Sequence, residues 1–89
     1  MSGTDTAVAV ADAGALIRRW RASGKRTEQI AAELAAKIAA GRLHRWQELP
    51  TRAVLAEDYD VSESTITSVK SLLAAHSFLT LENRRYYVA

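Results

Sequence analysis

Residues 51–75 read TRAVLAEDYDVSESTITSVKSLLAA, and this stretch decides the fold. A Thr side chain accepts well from the free N–H groups of a helix start, so Thr51 caps a short helix running through Asp58, with Val54 and Leu55 turned inward. Tyr59-Asp60 ends it in a tight turn, because Asp tolerates positive φ better than most residues. Ser62 is a second capping residue and opens a helix from Glu63 to about Ala75. On that helix Ile66, Val69, Leu72 and Leu73 fall on one side; Glu63, Ser64, Thr67, Ser68, Lys70 and Ser71 fall on the other. Two helices joined through Tyr59-Asp60-Val61 form a helix-turn-helix unit, with Val61 placed to plug the gap between them.

Upstream, Thr27 reads as the cap of another helix, with Glu28 in its first turn where a negative charge suits the helix dipole. Ile30, Leu34 and Ile38, with Ala31 and Ala35, make one apolar face, and Gly41 ends the helix in the left-handed region. Residues 42–50 are expected to run extended. Further back, between about Val8 and Ala22, Ala13, Leu16, Ile17 and Trp20 recur at helical spacing until Ser23-Gly24-Lys25. Downstream the period changes. Phe78, Leu79 and Leu81, then Tyr86, Tyr87 and Val88, flank Glu82-Asn83-Arg84-Arg85 and predict a hairpin with a basic tip. The expected class is mostly α with a small β-hairpin, a winged helix-turn-helix with an extra N-terminal helix. Residues 1–26 form an N-terminal extension and residues 27–89 the winged domain.

The 89 residues suit one small domain. With 17 Ala inside the 48% hydrophobic share, the larger apolar side chains suffice for a single modest core. The absence of Cys excludes disulfides, thiolate zinc sites and Cys nucleophiles. No apolar run approaches the ~18 residues of a membrane helix, and no basic segment precedes the first apolar stretch, so a cytoplasmic protein is expected. Gly-rich phosphate loops, HExxH, GxSxG and paired acids suited to a catalytic cleft are all missing, and His44 and His76 lie far apart. An enzyme is not expected, nor a metal or other cofactor. The net charge of +2 is unevenly spread: residues 1–26 carry +3 and residues 47–63 carry −4. A polyanion would have to meet the basic ends and avoid the acidic middle.

From Gln29 to Ala89, about two-thirds of the chain, the sequence resembles the DNA-binding domain of the GntR family of bacterial transcription regulators. The resemblance is carried by Gln29-Ile30-Ala31, Leu34, Ile38 and Gly41-Arg42-Leu43, followed by Leu49-Pro50 and Leu55-Ala56-Glu57. It continues through Val61-Ser62, Thr65-Ile66, Val69, Leu72-Leu73 and Tyr87-Val88-Ala89. It implies a winged helix that binds double-stranded DNA in the bacterial nucleoid. Several positions depart from the family's pattern. The Arg expected three residues after the Pro is Ala53, with Arg52 one step earlier; the next two expected arginines are Glu63 and Thr67. The usual loop glycines are replaced at Trp46, Ser77 and near Arg84. The chain stops at Ala89, before the effector domain the family normally carries, so a stand-alone module without a small-molecule effector is expected.

On this reading the helix 63–75 enters a major groove, where Ser64, Thr67, Ser68 and Ser71 read or brace bases and Glu63 accepts from cytosine N4. Thr65 and Lys70 touch phosphates, Arg52 fixes the helix 52–58 to the backbone, and Arg84 and Arg85 in the wing 79–88 reach the neighbouring minor groove. The bland alternative is that the hydroxyls merely solvate an outer face. With few bases on this face, weak monomer binding is expected, strengthened by a homodimer or by adjacent sites. The Leu16, Ile17, Trp20 stripe either extends the domain's own core or forms a two-fold dimer interface. Arg18, Arg19, Arg21, Lys25 and Arg26 meet phosphates, an acidic partner or only water. Trp46 is expected to pack over the wing. Two rival functions stay open: a winged helix that binds proteins instead of DNA, and a small architectural DNA binder serving excision, partition or nucleoid packing.

Overall fold

The computed structural model describes residues 13–89. Four helices and a hairpin follow one another: α1 (residues 13–22), α2 (Arg26–Ala39), α3 (Arg52–Tyr59), α4 (Glu63–Ala75), β1 (Leu79–Glu82) and β2 (Arg85–Val88). The start of the expected first helix, before residue 13, lies outside the described residues.

The core forms where α2 and α4 pack together. On α2, Ile30, Ala31, Leu34 and Ala35 repeat at helical spacing and are buried; on α4, Ile66, Val69 and Leu73 do the same. The alanines let the two backbones approach closely, and Leu49, Leu55, Leu79 and Val88 close the ends. From α1, Ile17 (7% exposed) and Trp20 (4%) join this same core. The Trp20 ring stands edge-on to His76 at 5.3 Å and tilts against Phe78 at 6.0 Å. Two of the three residues weighed as a dimer interface are therefore core of their own chain, and Leu16 packs partly buried beside them. Residues 13–22 and the winged domain share one hydrophobic interior.

Three of the helices end in the same way. The chain leaves α2 through Gly41 (φ 77), α3 through Asp60 (φ 55) and the end of α4 through Ser77 (φ 65). In each case the next N–H reaches back five residues: Arg42 to the Lys37 carbonyl at 2.9 Å, Val61 to Ala56 at 3.0 Å, and Phe78 to Leu73 at 2.9 Å. This is the Schellman closure, which satisfies carbonyls the helix itself leaves free. At the helix starts, Thr51 accepts from the Val54 N–H and Ser62 from the Thr65 N–H, as expected. Thr27 does not cap α2. The chain has only just left α1, so the N-cap falls at Lys25, without a side-chain hydrogen bond, and the Ser23 hydroxyl braces the corner by accepting the Lys25 N–H.

The hairpin is antiparallel, with Leu79 opposite Val88 and Glu82 opposite Arg85. Its two-residue loop, Asn83-Arg84, has positive φ at both positions (49 and 65), the type I′ shape that matches strand twist. Residues 42–45 turn, contrary to the extended run expected there. The backbone then follows the other edge of β2: Trp46 and Leu49 donate to Val88 and Tyr86, and the Val88 N–H donates to Gln47. Two side chains expected to be inside are outside. Val54 is 47% exposed because α3 buries only Leu55 and Ala56. Trp46 is 55% exposed: its φ of 68 turns the ring outward, within 5.9 Å of the Arg45 guanidinium, instead of over the wing. No helix among the described residues is long and apolar enough to cross a membrane.

Candidate nucleic-acid interface

The Ser62 cap and the short turn at Asp60–Val61 set α4 on the surface, with Glu63, Ser64, Thr67, Ser68 and Ser71 exposed and Thr65 half-buried. Several of these hydroxyls are already committed as donors. Thr67 Oγ1 donates to the Glu63 carbonyl at 3.2 Å, and Ser68 Oγ donates to the Ser64 carbonyl at 3.3 Å. Ser62 Oγ lies 3.1 Å from Ser64 Oγ and 3.0 Å from Thr65 Oγ1. A hydroxyl whose proton is used inward presents lone pairs outward. Together with the Glu63 carboxylate, the exposed face of α4 is therefore rich in acceptors.

The cations come from other elements. Arg52 starts α3 and reaches across to α4, where Nη1 donates to Thr67 Oγ1 at 3.4 Å and Nε lies 4.0 Å from Glu63 Oε1. Arg85 opens β2 and lies 3.6 Å from Glu48 Oε1. Arg84 occupies the turn and has no hydrogen-bond or ion-pair partner among the described residues. These residues converge on a groove of about 600 Å³ between α4 and the wing, lined by Arg52, Thr67, Lys70, Arg84, Arg85 and Glu48 among others. Ser64, Thr65, Ser68 and Ser71 lie outside the groove along α4.

Lys70 does not stand on the outer face. It is 7% exposed, its Nζ donates to the Pro50 carbonyl at 2.9 Å, and it sits 5.8 Å from the Tyr86 ring centroid. Burial lowers its pKa, and the nearby Arg52 lowers it further, against an opposing pull from Glu48. Lys70 follows Ile66 by four residues and precedes Leu73 by three, so it belongs to the buried stripe by spacing. It ties α4 to the segment before α3 and to the wing, beneath the groove, and is not free to reach a phosphate.

The acidic middle of the chain mostly faces elsewhere. Asp58 lines a separate cleft of about 420 Å³ with Glu33, Lys37 and Tyr59, and neither Glu57 nor Asp60 borders the groove. Burial raises the Tyr59 pKa, and the carboxylates of Glu33 and Asp58 add to the effect. Sequence reasoning missed Glu48 and Tyr86. Neither carries a local signal: Glu48 lies far from Arg85 in sequence, and only the pairing of residues 46–49 along β2 brings them together.

Residues 26–86 match the family described as bacterial regulatory proteins, gntR family. Among solved structures, YtrA from Sulfolobus acidocaldarius, a GntR-family transcription factor, is similar with a TM-score of 0.70 and 28% identity, covering 75% of this chain and 71% of that one. A second protein, assigned as a GntR-family transcriptional regulator, gives 0.68 and 26% identity over 73% of this chain; the match spans only 26% of that chain. No curated protein sequence matches significantly. The family is one of regulators, not enzymes, in accord with the lack of a catalytic motif, and the winged helix-turn-helix expected from residues 51–88 is the architecture observed. The chain belongs to the GntR family of bacterial regulatory proteins.

Proposed function

We propose that the chain is a sequence-specific DNA-binding transcriptional regulator acting in the bacterial cytoplasm, with α4 in the major groove and the wing in the adjacent minor groove. The observation that carries this reading is the convergence of Arg52, Thr67, Arg84 and Arg85 on one groove beside an exposed, acceptor-rich helix face. A duplex offers donors in its major groove at adenine N6 and cytosine N4, which complement Glu63 and Ser68. The strand between the major and minor grooves then passes between α4 and the wing, where the arginines stand. Arg52 braces Thr67 and Glu63 from α3 and faces the phosphates, and Arg84 is the cation at the wing tip that no carboxylate among the described residues holds. Ser64 and Ser71 flank the readers on the same face; Thr65, half-buried and bonded to the cap, positions the helix start. A homodimer on a palindromic site remains part of this proposal, through a surface other than the Trp20 stripe.

Genomic fragments selected for binding at low salt, followed by anisotropy titrations, test the reading. Enrichment of one short motif is expected, with Thr67→Ala relaxing preference within it. Binding without any motif favours the architectural reading, and stoichiometric capture of one protein with no DNA shift favours the protein-binding one.

A further inference from the structure

Arg85 is engaged before any ligand arrives. Its guanidinium lies 3.6 Å from Glu48 Oε1, and the Glu48 backbone is fixed by its antiparallel bridge to Tyr87 on β2. The carboxylate is thus built into the rim of the groove, beside three other cations: Arg52, Lys70 and Arg84. A carboxylate at that rim weakens attraction to every phosphate that enters, and sequence-independent affinity for DNA is almost wholly such attraction. Resting on the DNA-binding reading above, we propose that Glu48 is an autoinhibitory residue: it holds Arg85 in the free protein, competes with the DNA backbone for it, and lowers affinity for duplexes of any sequence.

The physical basis is an exchange. A phosphate reaching Arg85 must displace Glu48 and tolerate a nearby negative charge. A duplex held only by its backbone gains little from the exchange, because one exposed ion pair is replaced by another of similar strength. Glu48 therefore lowers the affinity for DNA without touching a base, by competing with phosphate for Arg85.

Glu48→Gln keeps the shape and the backbone bridge and removes the charge. Wild type and variant are titrated by fluorescence anisotropy over a salt series. The two probes are a labelled random-sequence duplex and a duplex carrying the most enriched genomic fragment. The variant is expected to bind both duplexes about threefold to fivefold tighter at low salt. Its slope of log K against log salt on the random duplex steepens by about 0.9, the signature of one more neutralised phosphate. In an Arg85→Gln background the same substitution is expected to lose most of its effect. An unchanged random-duplex affinity overturns the proposal, as does a gain confined to the enriched duplex or an effect that persists without Arg85. If wild type binds neither duplex at low salt, the DNA-binding reading itself fails, a separate and recognisable result.

Discussion

Replacing Trp20 with Ala tests whether α1 is part of the folded core. Trp20 is 4% exposed, with its ring against His76 and Phe78. A buried Trp removes roughly 150–250 Å² from water, which at about 25 cal/mol per Å² corresponds to about 4–6 kcal/mol. That is an upper figure, because the unfolded chain already hides part of the surface. Allowing for the retained Ala carbon and partial collapse of the cavity, a loss of about 3–4 kcal/mol is expected. For 89 residues, total stability is on the order of 4–13 kcal/mol, so this is a large fraction. The assay is urea unfolding followed by far-ultraviolet circular dichroism. With a slope of about 1 kcal/mol per molar urea, the midpoint drops by about 3 M. Where Trp20→Ala is too unstable to titrate, Trp20→Phe, costing about 1–2 kcal/mol, carries the same comparison. Repeating the melts at protein concentrations about tenfold apart separates core from interface, since only an interface makes the midpoint depend on concentration. A loss below about 1 kcal/mol, or a wild-type midpoint that rises with concentration while the variant's does not, refutes the packing argument.

Other substitutions probe the cap, the strained turns and the half-buried Tyr59 phenol. Ser62→Ala removes the cap of α4 and is expected to cost about 1 kcal/mol, read as a lower urea midpoint. Ser77→Gly and Arg84→Gly each relieve a left-handed backbone and are expected to raise stability by about 0.5–1 kcal/mol in thermal melts. Arg84→Gly is also expected to weaken DNA binding and flatten the salt slope by about 0.9, so that stability and binding move in opposite directions. For Tyr59 the folded pKa lies above that of the unfolded chain, so between the two values the native state holds a proton that the unfolded state has lost. Stability from this group is present below pH ~10 and falls as pH rises through the folded value. Tyr59→Phe is expected to gain stability relative to wild type above that point, measured as the difference between paired urea midpoints. A constant difference across the range contradicts the assignment.

Most of the architecture was legible because its signals are local. Thr51 and Ser62 announce helix starts through their own side chains, and Asp60 announces the turn through its tolerance of positive φ. The change of period after Ser77 separates hairpin from helix. The misreadings have different causes, and two are instructive. Trp46, Ser77 and Arg84 stand where the family resemblance implied glycine, and all three have positive φ. The backbone shape was therefore predictable there, while the direction of the Trp46 ring was not. Lys70 was misplaced for a different reason. Its charge outweighed its spacing, although a position four after Ile66 and three before Leu73 belongs to the inward stripe.

The order of elements, the helix boundaries near residues 51–75 and the hydroxyl-rich face of α4 were written in the chain itself, since capping, turn propensity and periodicity act within a few residues. Which cations are free was settled by packing alone. Lys70 is drawn to the Pro50 carbonyl, Arg52 to Glu63 and Thr67, and Arg85 to Glu48, leaving Arg84 at the wing tip without a partner among the described residues. Whether Trp20 faced its own chain or a second copy was likewise decided only when α1 met His76 and Phe78. Charge pairing and burial depend on which distant residues the folded backbone brings within a few ångströms, and a linear pattern carries no measure of that distance.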